Sequence, residues 1–262
     1  MKNGADFSDL RTRIISALAL VFIGLALVWV GGDAFGVLLV IAAGLLGWET
    51  SRMHATPVLI NYVFGLLLAA LVLSAMFLPV LWTVVLAVLL LGAVFLGHKR
   101  PLAVLLSAVA ITAGCYTLQI LRSEFGIGWT LWLLVVVVAS DVGGYFAGKM
   151  IGGPKILPRI SPKKTWSGTV GGWVLAALVG FIAYSAGLGG AGIVLLSVLV
   201  AVAAQIGDLL ESSMKRRSGI KDSSNLIPGH GGLWDRFDGT IGASCALGLV
   251  LALGGAGALG LV

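Results

Sequence analysis

Charge is scarce in this chain. Only 11% of its 262 residues are Asp, Glu, Lys or Arg, against about 25% in an ordinary soluble domain. That shortage excludes a water-facing surface over most of the chain, and no polar segment is long enough to be a soluble domain. Cysteine is also sparse: Cys115 and Cys245 both lie inside apolar segments, with no Cys or His at ligand spacing. This excludes a disulfide framework and a zinc site and leaves both as small buried hydrophobes. The net charge of +6 comes without a continuous basic stripe, so nucleic acid is not a partner. Alternation of period two is absent, which argues against a membrane barrel. No internal repeat is visible.

Long hydrophobic runs are what the chain has instead: 59% of residues are apolar or aromatic and the mean hydropathy is +1.07. A bilayer core of about 30 Å needs roughly 20 helical residues to cross it. On that measure nine spans are expected, at residues 12–30, 34–52, 58–77, 80–97, 102–121, 129–148, 168–187, 189–210 and 239–260. The first follows Arg11 and Arg13 but lacks a small-residue cleavage site before Gly31-Gly32, so it reads as a retained span rather than a signal peptide. Lipid offers backbone groups no partners, so each span should be helical. The fold class expected is therefore all-α, a polytopic integral membrane protein. Residues 1–125 would form an N-terminal group of about five spans. Residues 126–262 would form a C-terminal bundle with loops at 149–167 and 211–238.

With nine spans, every one of the 17 Lys and Arg residues except Arg122 falls on the side of the N-terminus. The positive-inside rule then places the N-terminus in the cytoplasm and the C-terminus outside. The two long polar loops face the cytoplasm.

Four stretches hold polar residues that hydrophobic packing does not explain. The loop Lys149 to Lys164 carries Lys149, Lys155, Arg159, Lys163 and Lys164 with no acid, broken by Gly152-Gly153-Pro154 and Ser161-Pro162. Turns with exposed N–H groups beside lysines suit a polyphosphate; attraction to anionic lipid is the alternative. Just upstream, Asp141, Gly144, Gly148 and Gly152 share one helical face. Glycines there suit helix packing, but a carboxylate inside a span costs roughly 2.5 to 3.5 kcal/mol at its centre and marks a functional candidate. Asp208 and Glu211 stand three apart at the end of the eighth span, hence on one side of a helix. Carboxylates so placed suit a hard cation such as Mg2+, or pair with Lys215 or Arg216. Finally PGHGGLWDRFD, residues 228–238, repeats the spacing with Asp235 and Asp238. There Gly231-Gly232 permits close backbone approach, and His230 and Arg236 can donate to phosphate. Together these point to a metal-nucleotide site at the mouth of a membrane bundle.

From Ser212 to Asp238 the chain reads SSMKRRSGIKDSSNLIPGHGGLWDRFD, which closely resembles the signature of the phosphatidate cytidylyltransferases, or CDP-diacylglycerol synthases. The matching positions are Ser212, Met214, Lys215-Arg216, Lys221-Asp222, Ile227-Pro228, His230-Gly231-Gly232, Asp235-Arg236 and Asp238. Upstream, SDVGGYFAGKMIGG, ISPKKTWSGTVGG and IGDLLESSMKR are similar to further family blocks, so the resemblance covers about residues 139–238. Ser167 departs from it, since many relatives have an acidic or amide side chain there.

The resemblance implies transfer of CMP from CTP to phosphatidate, with release of pyrophosphate and dependence on Mg2+, with a second metal ion as an option. By resemblance Asp208 and Asp235 hold the metal, with Asp141 and Asp238 as further candidates. Lys163, Lys164, Lys215, Arg216, Lys221 and Arg236 bind phosphates, and His230 is directed at a phosphate oxygen. Phosphatidate would reach the site from the bilayer and CTP from the cytoplasm. The enzyme would be a homodimer in a bacterial inner membrane. A CTP-dependent polyprenol or phytol kinase is the nearest alternative enzyme, against which the full HGGLWDRFD block speaks. An ion-coupled transporter would need midplane charges and inverted repeats.

Overall fold

The computed structural model describes residues 7–54 and 56–258. Among them it contains ten helices: α1 (Phe7–Val30), α2 (Gly32–Met53), α3 (Val58–Phe77), α4 (Val80–Gly97), α5 (Pro101–Glu124), α6 (Ile127–Met150), α7 (Trp166–Ser185), α8 (Gly192–Arg217), α9 (Trp234–Ala252) and the single turn α10 (Gly255–Ala258). No strand forms among the described residues. Two isolated bridges, Lys155 with Thr165 and Ile227 with Gly231, close loops instead.

Seven helices, α2 to α8, are long and apolar enough to cross a membrane. α4 shows why a bilayer is their natural solvent: Val80, Leu81, Val88 and Leu96 all point outward and are exposed, an arrangement that water would penalise. The architecture is that of a polytopic, all-helical membrane protein. α1 contributes a shorter apolar stretch, Ile14–Val30. α9 opens on the polar sequence Trp-Asp-Arg-Phe-Asp and ends at Ala252, followed by a turn at Leu253 and Gly254. The end of the expected ninth span, from residue 259, lies outside the described residues. Prolines mark helix starts: Pro57 and Pro79 precede α3 and α4, and Pro101 opens α5. There a missing N–H breaks no helical bond.

The chain forms two compact units. The first runs through Ala108 and takes in Arg217–Arg236; the second holds Val109–Arg216 and the residues from Phe237 onward. In the first, α2 and α3 pack along buried Phe35, Leu39 and Leu46 on one side and Phe64, Leu68 and Val72 on the other. Beside that seam Ser51 Oγ lies 2.8 Å from both Asn61 Oδ1 and His98 Nε2, so these three buried polar atoms are partnered.

In the second unit α6 and α7 meet backbone to backbone. A Cβ added at Gly143 would stand 2.7 Å from the Gly171 oxygen, and one at Gly168 would stand 2.6 Å from the Gly144 oxygen. Small residues at such a seam let two membrane helices close on each other, which accounts for Gly144 and Gly148 by packing. Polar side chains add further ties. Trp132 Nε1 donates to Ser197 Oγ at 3.0 Å, Trp173 Nε1 donates to Gln205 Oε1 at 3.0 Å, and Gln205 Nε2 donates to Ser140 Oγ at 3.1 Å. α6, α7 and α8 thereby form a fixed frame.

Candidate active site

At one end of that frame the chain between α6 and α7 is folded rather than loose. Ile156 N donates to the Lys164 oxygen at 3.2 Å and Trp166 N to the Pro154 oxygen at 3.1 Å. Thr165 caps α7, its hydroxyl accepting from Gly168 N at 3.2 Å, which satisfies one of the orphan donors of a helix start. Ser167 donates to the Gly152 oxygen and lies 3.0 Å from Thr165 Oγ1, so it latches the loop. This folding presents Lys163 and Lys164 to a cavity of about 520 Å3. Asp141, Tyr145 and Lys149 of α6, Trp166 and Trp173 of α7, and Gln205 of α8 also line it. A cavity that is mostly apolar with a few charged groups at one end suits an amphiphile or a nucleotide phosphate.

Next to Lys164 stands a group of acids. Lys164 forms an ion pair with Asp208, whose Oδ1 also accepts from Ser212 Oγ at 3.2 Å. Asp208, Glu211 and Asp238 each place an oxygen within 4.8 Å of the others. Glu211 is buried and ion-paired with Lys215 one turn along α8. Asp238 accepts from Gly239 N at 2.7 Å. Burial pushes its carboxyl up to about 7, and the charge of Asp208 adds to the rise. Asp141 also lies within the electrostatic reach of Asp208 and Lys164. Carboxylates gathered this closely repel one another, and a cation is what relieves them.

The signature loop belongs to the first unit. Ile227 N donates to the Gly231 oxygen at 2.8 Å and His230 N to the Ile227 oxygen at 2.9 Å. Between them Pro228 and Gly229, the latter at φ 75°, turn the chain, as a type II turn requires. His230 Nδ1 lies 2.9 Å from Ser16 Oγ, and its carbonyl accepts from Arg236 Nε and Nη2 at 3.2 and 2.9 Å. Three donors converge on Asp235 Oδ2: Gly232 N at 2.8 Å, Ser223 Oγ at 2.9 Å and Ser223 N at 3.0 Å. Lys221 and Asp222 are exposed at the start of this stretch.

Of the residues predicted from sequence, the second unit brings together Lys164, Lys215, Asp141, Asp208 and Asp238, with Lys163 on the cavity wall and Arg216 exposed at the end of α8. The first unit holds Lys221, His230, Gly231, Gly232, Asp235 and Arg236 in one loop and helix start. Sequence spacing offers Glu211 as a neighbour of Asp208 or as a partner of Lys215 or Arg216. It pairs with Lys215 and also stands in the acidic group.

One side chain gave no warning at all. Glu49, on α2 and fully buried, accepts from Leu233 N at 2.9 Å, Trp234 N at 2.7 Å, Ser223 Oγ at 3.2 Å and Ser224 Oγ. Its only sequence signal is an acid near the end of an apolar run, which reads as an interfacial residue.

The chain matches the sequence profile of the Cytidylyltransferase family over residues 11–253. It is 39% identical over 261 residues to a phosphatidate cytidylyltransferase of Brucella suis biovar 1 (strain 1330), covering 94% of each chain. It is 40% identical over 157 residues to one from Mycobacterium bovis (strain ATCC BAA-935 / AF2122/97), covering 58% of this chain and 50% of the other. A third, from Helicobacter pylori (strain ATCC 700392 / 26695), is 43% identical over 140 residues, 53% of this chain and 52% of its own.

Proposed function

The chain belongs to the cytidylyltransferase family, and from that membership and the acids gathered beside Lys164 we propose that it is a phosphatidate cytidylyltransferase. It transfers CMP from CTP to phosphatidate and releases pyrophosphate. The observation that carries the reading is Asp208, ion-paired with Lys164 from the cavity wall and grouped with Glu211 and Asp238. Such a site holds phosphate donors and cation ligands side by side.

The donor set fits Mg2+: Asp208, Glu211 and Asp238 offer carboxylate oxygens within 4.8 Å of one another, and burial together with the charge of Asp208 raises the Asp238 carboxyl, a strain that a hard cation relieves. Asp208, Glu211 and Asp238 would hold the ion with Asp141 nearby, and Asp235 is the ligand that the family resemblance adds. When bound, Mg2+ supplies charge neutralisation on the triphosphate and on the departing pyrophosphate. Lys163 and Lys164 hold phosphate oxygens at the cavity, and Lys221 and Arg236 are the phosphate-binding residues of the signature loop. The phosphate of phosphatidate is already anionic at neutral pH, so the chain's task is positioning rather than proton abstraction. One of its oxygens forms a bond to the α-phosphorus of CTP, and the bond to the β-phosphate oxygen breaks. His230 and the loop around it orient that end of the nucleotide.

The same reading places nine spans in a bacterial inner membrane, with the N-terminus and both long loops in the cytoplasm. The distribution of Lys and Arg supports that placement, and family resemblance supports a homodimer. Purified protein given CTP, phosphatidate and Mg2+ should yield a cytidine-containing lipid and one pyrophosphate per lipid. CDP as the nucleotide product would assign the chain to the lipid kinases instead.

A further inference from the structure

We infer that Glu49 is a positioning residue for CMP transfer: its buried carboxylate clamps the signature loop to α2 and so holds Asp235 in place. The inference rests on the function proposed above. The N–H groups of Leu233 and Trp234 stand at the start of α9, where a helix leaves its first donors without internal partners and carries partial positive charge. Glu49 takes one of them on each oxygen, at 2.9 and 2.7 Å, and adds the hydroxyls of Ser224 and Ser223.

Asp235 takes the N–H before these two, that of Gly232, at 2.8 Å. Three successive backbone donors are thus shared between two carboxylates. The Ser223 hydroxyl lies between the pair, 2.9 Å from Asp235 Oδ2 and 3.2 Å from Glu49 Oε2. Any displacement of Glu49 therefore reaches Asp235 both through Ser223 and through the helix turn.

Two details separate this clamp from ordinary burial. A Cβ at Gly232 would run into Ser223 Oγ and Glu49 Oε1. What the missing side chain at 232 admits is therefore the Ser223 hydroxyl together with the Glu49 carboxylate it donates to. The groups around Glu49 also suit an anion. An amide in its place would set an NH2 against either Leu233 N–H or Trp234 N–H. Next to it, Thr50 Oγ1 accepts from Trp234 Nε1 at 2.7 Å. That bond ties the same turn to α2 without touching either carboxylate, and it supplies the control.

The test compares Glu49→Gln with Thr50→Val in purified protein, reading kcat, KM for CTP, the Mg2+ concentration at half-maximal rate and Tm. Trypsin cleavage at exposed Lys221, without substrate, reads the order of the loop. Glu49→Gln should lower kcat by about 10-fold or more and raise the Mg2+ requirement, with faster cleavage at Lys221 and a fall in Tm no greater than that of Thr50→Val. Thr50→Val should keep kcat within about 3-fold of the parent. If Glu49→Gln does not accumulate, Ser223→Ala should show a smaller loss of kcat in the same direction. Unchanged kcat and Mg2+ requirement in Glu49→Gln, or an equal loss of kcat in Thr50→Val, overturns the inference. A parent protein that makes no cytidine lipid overturns the functional reading instead, and cleavage at Lys221 still decides whether Glu49 clamps the loop.

Discussion

Replacing Asp208 by Asn should abolish most turnover without unfolding the protein. With Asp141, Asp208, Glu211 and Asp238 ionised against Lys164 and Lys215, the named groups sum to a charge of −2, which one divalent cation balances. Asn leaves −1 and deprives Lys164 of its ion-pair partner. A charge-assisted interaction is worth about 1.5 to 3 kcal/mol, so losing both the cation contact and the Lys164 contact predicts a loss of ~3 to 6 kcal/mol, or roughly two to four powers of ten in kcat/KM. The Asn amide still accepts from Ser212, so helix α8 has no reason to shift. The assay is a titration of Mg2+ and CTP on detergent-purified protein, with circular dichroism and gel filtration confirming the fold. Turnover within a few-fold of the parent at ordinary Mg2+ would refute Asp208 as a ligand and move the cation to Asp141 and Asp238.

Ser167→Ala removes one neutral hydrogen bond of the loop latch, worth about 0.5 to 1.5 kcal/mol of stability, and should retain most activity; a loss like that of Asp208→Asn would show a direct role at 167. The raised Asp238 carboxyl means that the cation-free native protein binds more protons than the unfolded chain between the ordinary carboxylate range and about 7. Its Tm should therefore fall as pH rises through that window. Added Mg2+ should raise Tm more at pH 8 than at pH 5, and an equal effect at both would contradict the assignment of Asp238 to the cluster. A reporter fused after Val262 should behave as external and one inserted between α8 and α9 as cytoplasmic, and a cytoplasmic C-terminus would contradict the nine-span reading.

The helices were legible because lipid enforces a simple rule: an apolar run of sufficient length must satisfy its own backbone. Hence α2 to α8 stand close to the runs predicted at 34–52 through 189–210. Spacing within one helix also exposed Asp208 with Glu211 and Asp235 with Asp238. What spacing could not show is which helices meet. Asp238 joins Asp208 and Glu211 because α8 and α9 pack at Gly207 and Gly242, where an added Cβ would stand 2.5 Å from the backbone carbonyl oxygens of Asp238 and Ala203 respectively. Glu49 was invisible for the same reason, since its four partners lie between residues 223 and 234, far along the chain. Even Gly232 was readable only as a place where something comes close, and the identity of its neighbour required the fold.

In the proposed reaction an oxygen of phosphatidate becomes joined to the α-phosphorus of CTP. Phosphatidate carrying isotopically heavy oxygens on its phosphate, incubated with purified protein, CTP and Mg2+, tests this in one mass spectrum. The product should be a lipid heavier by one CMP unit that retains all the heavy oxygen, one of them bridging the two phosphorus atoms, and the pyrophosphate should carry none. Heavy oxygen in the pyrophosphate, or a lipid heavier by a single phosphate group, would contradict it.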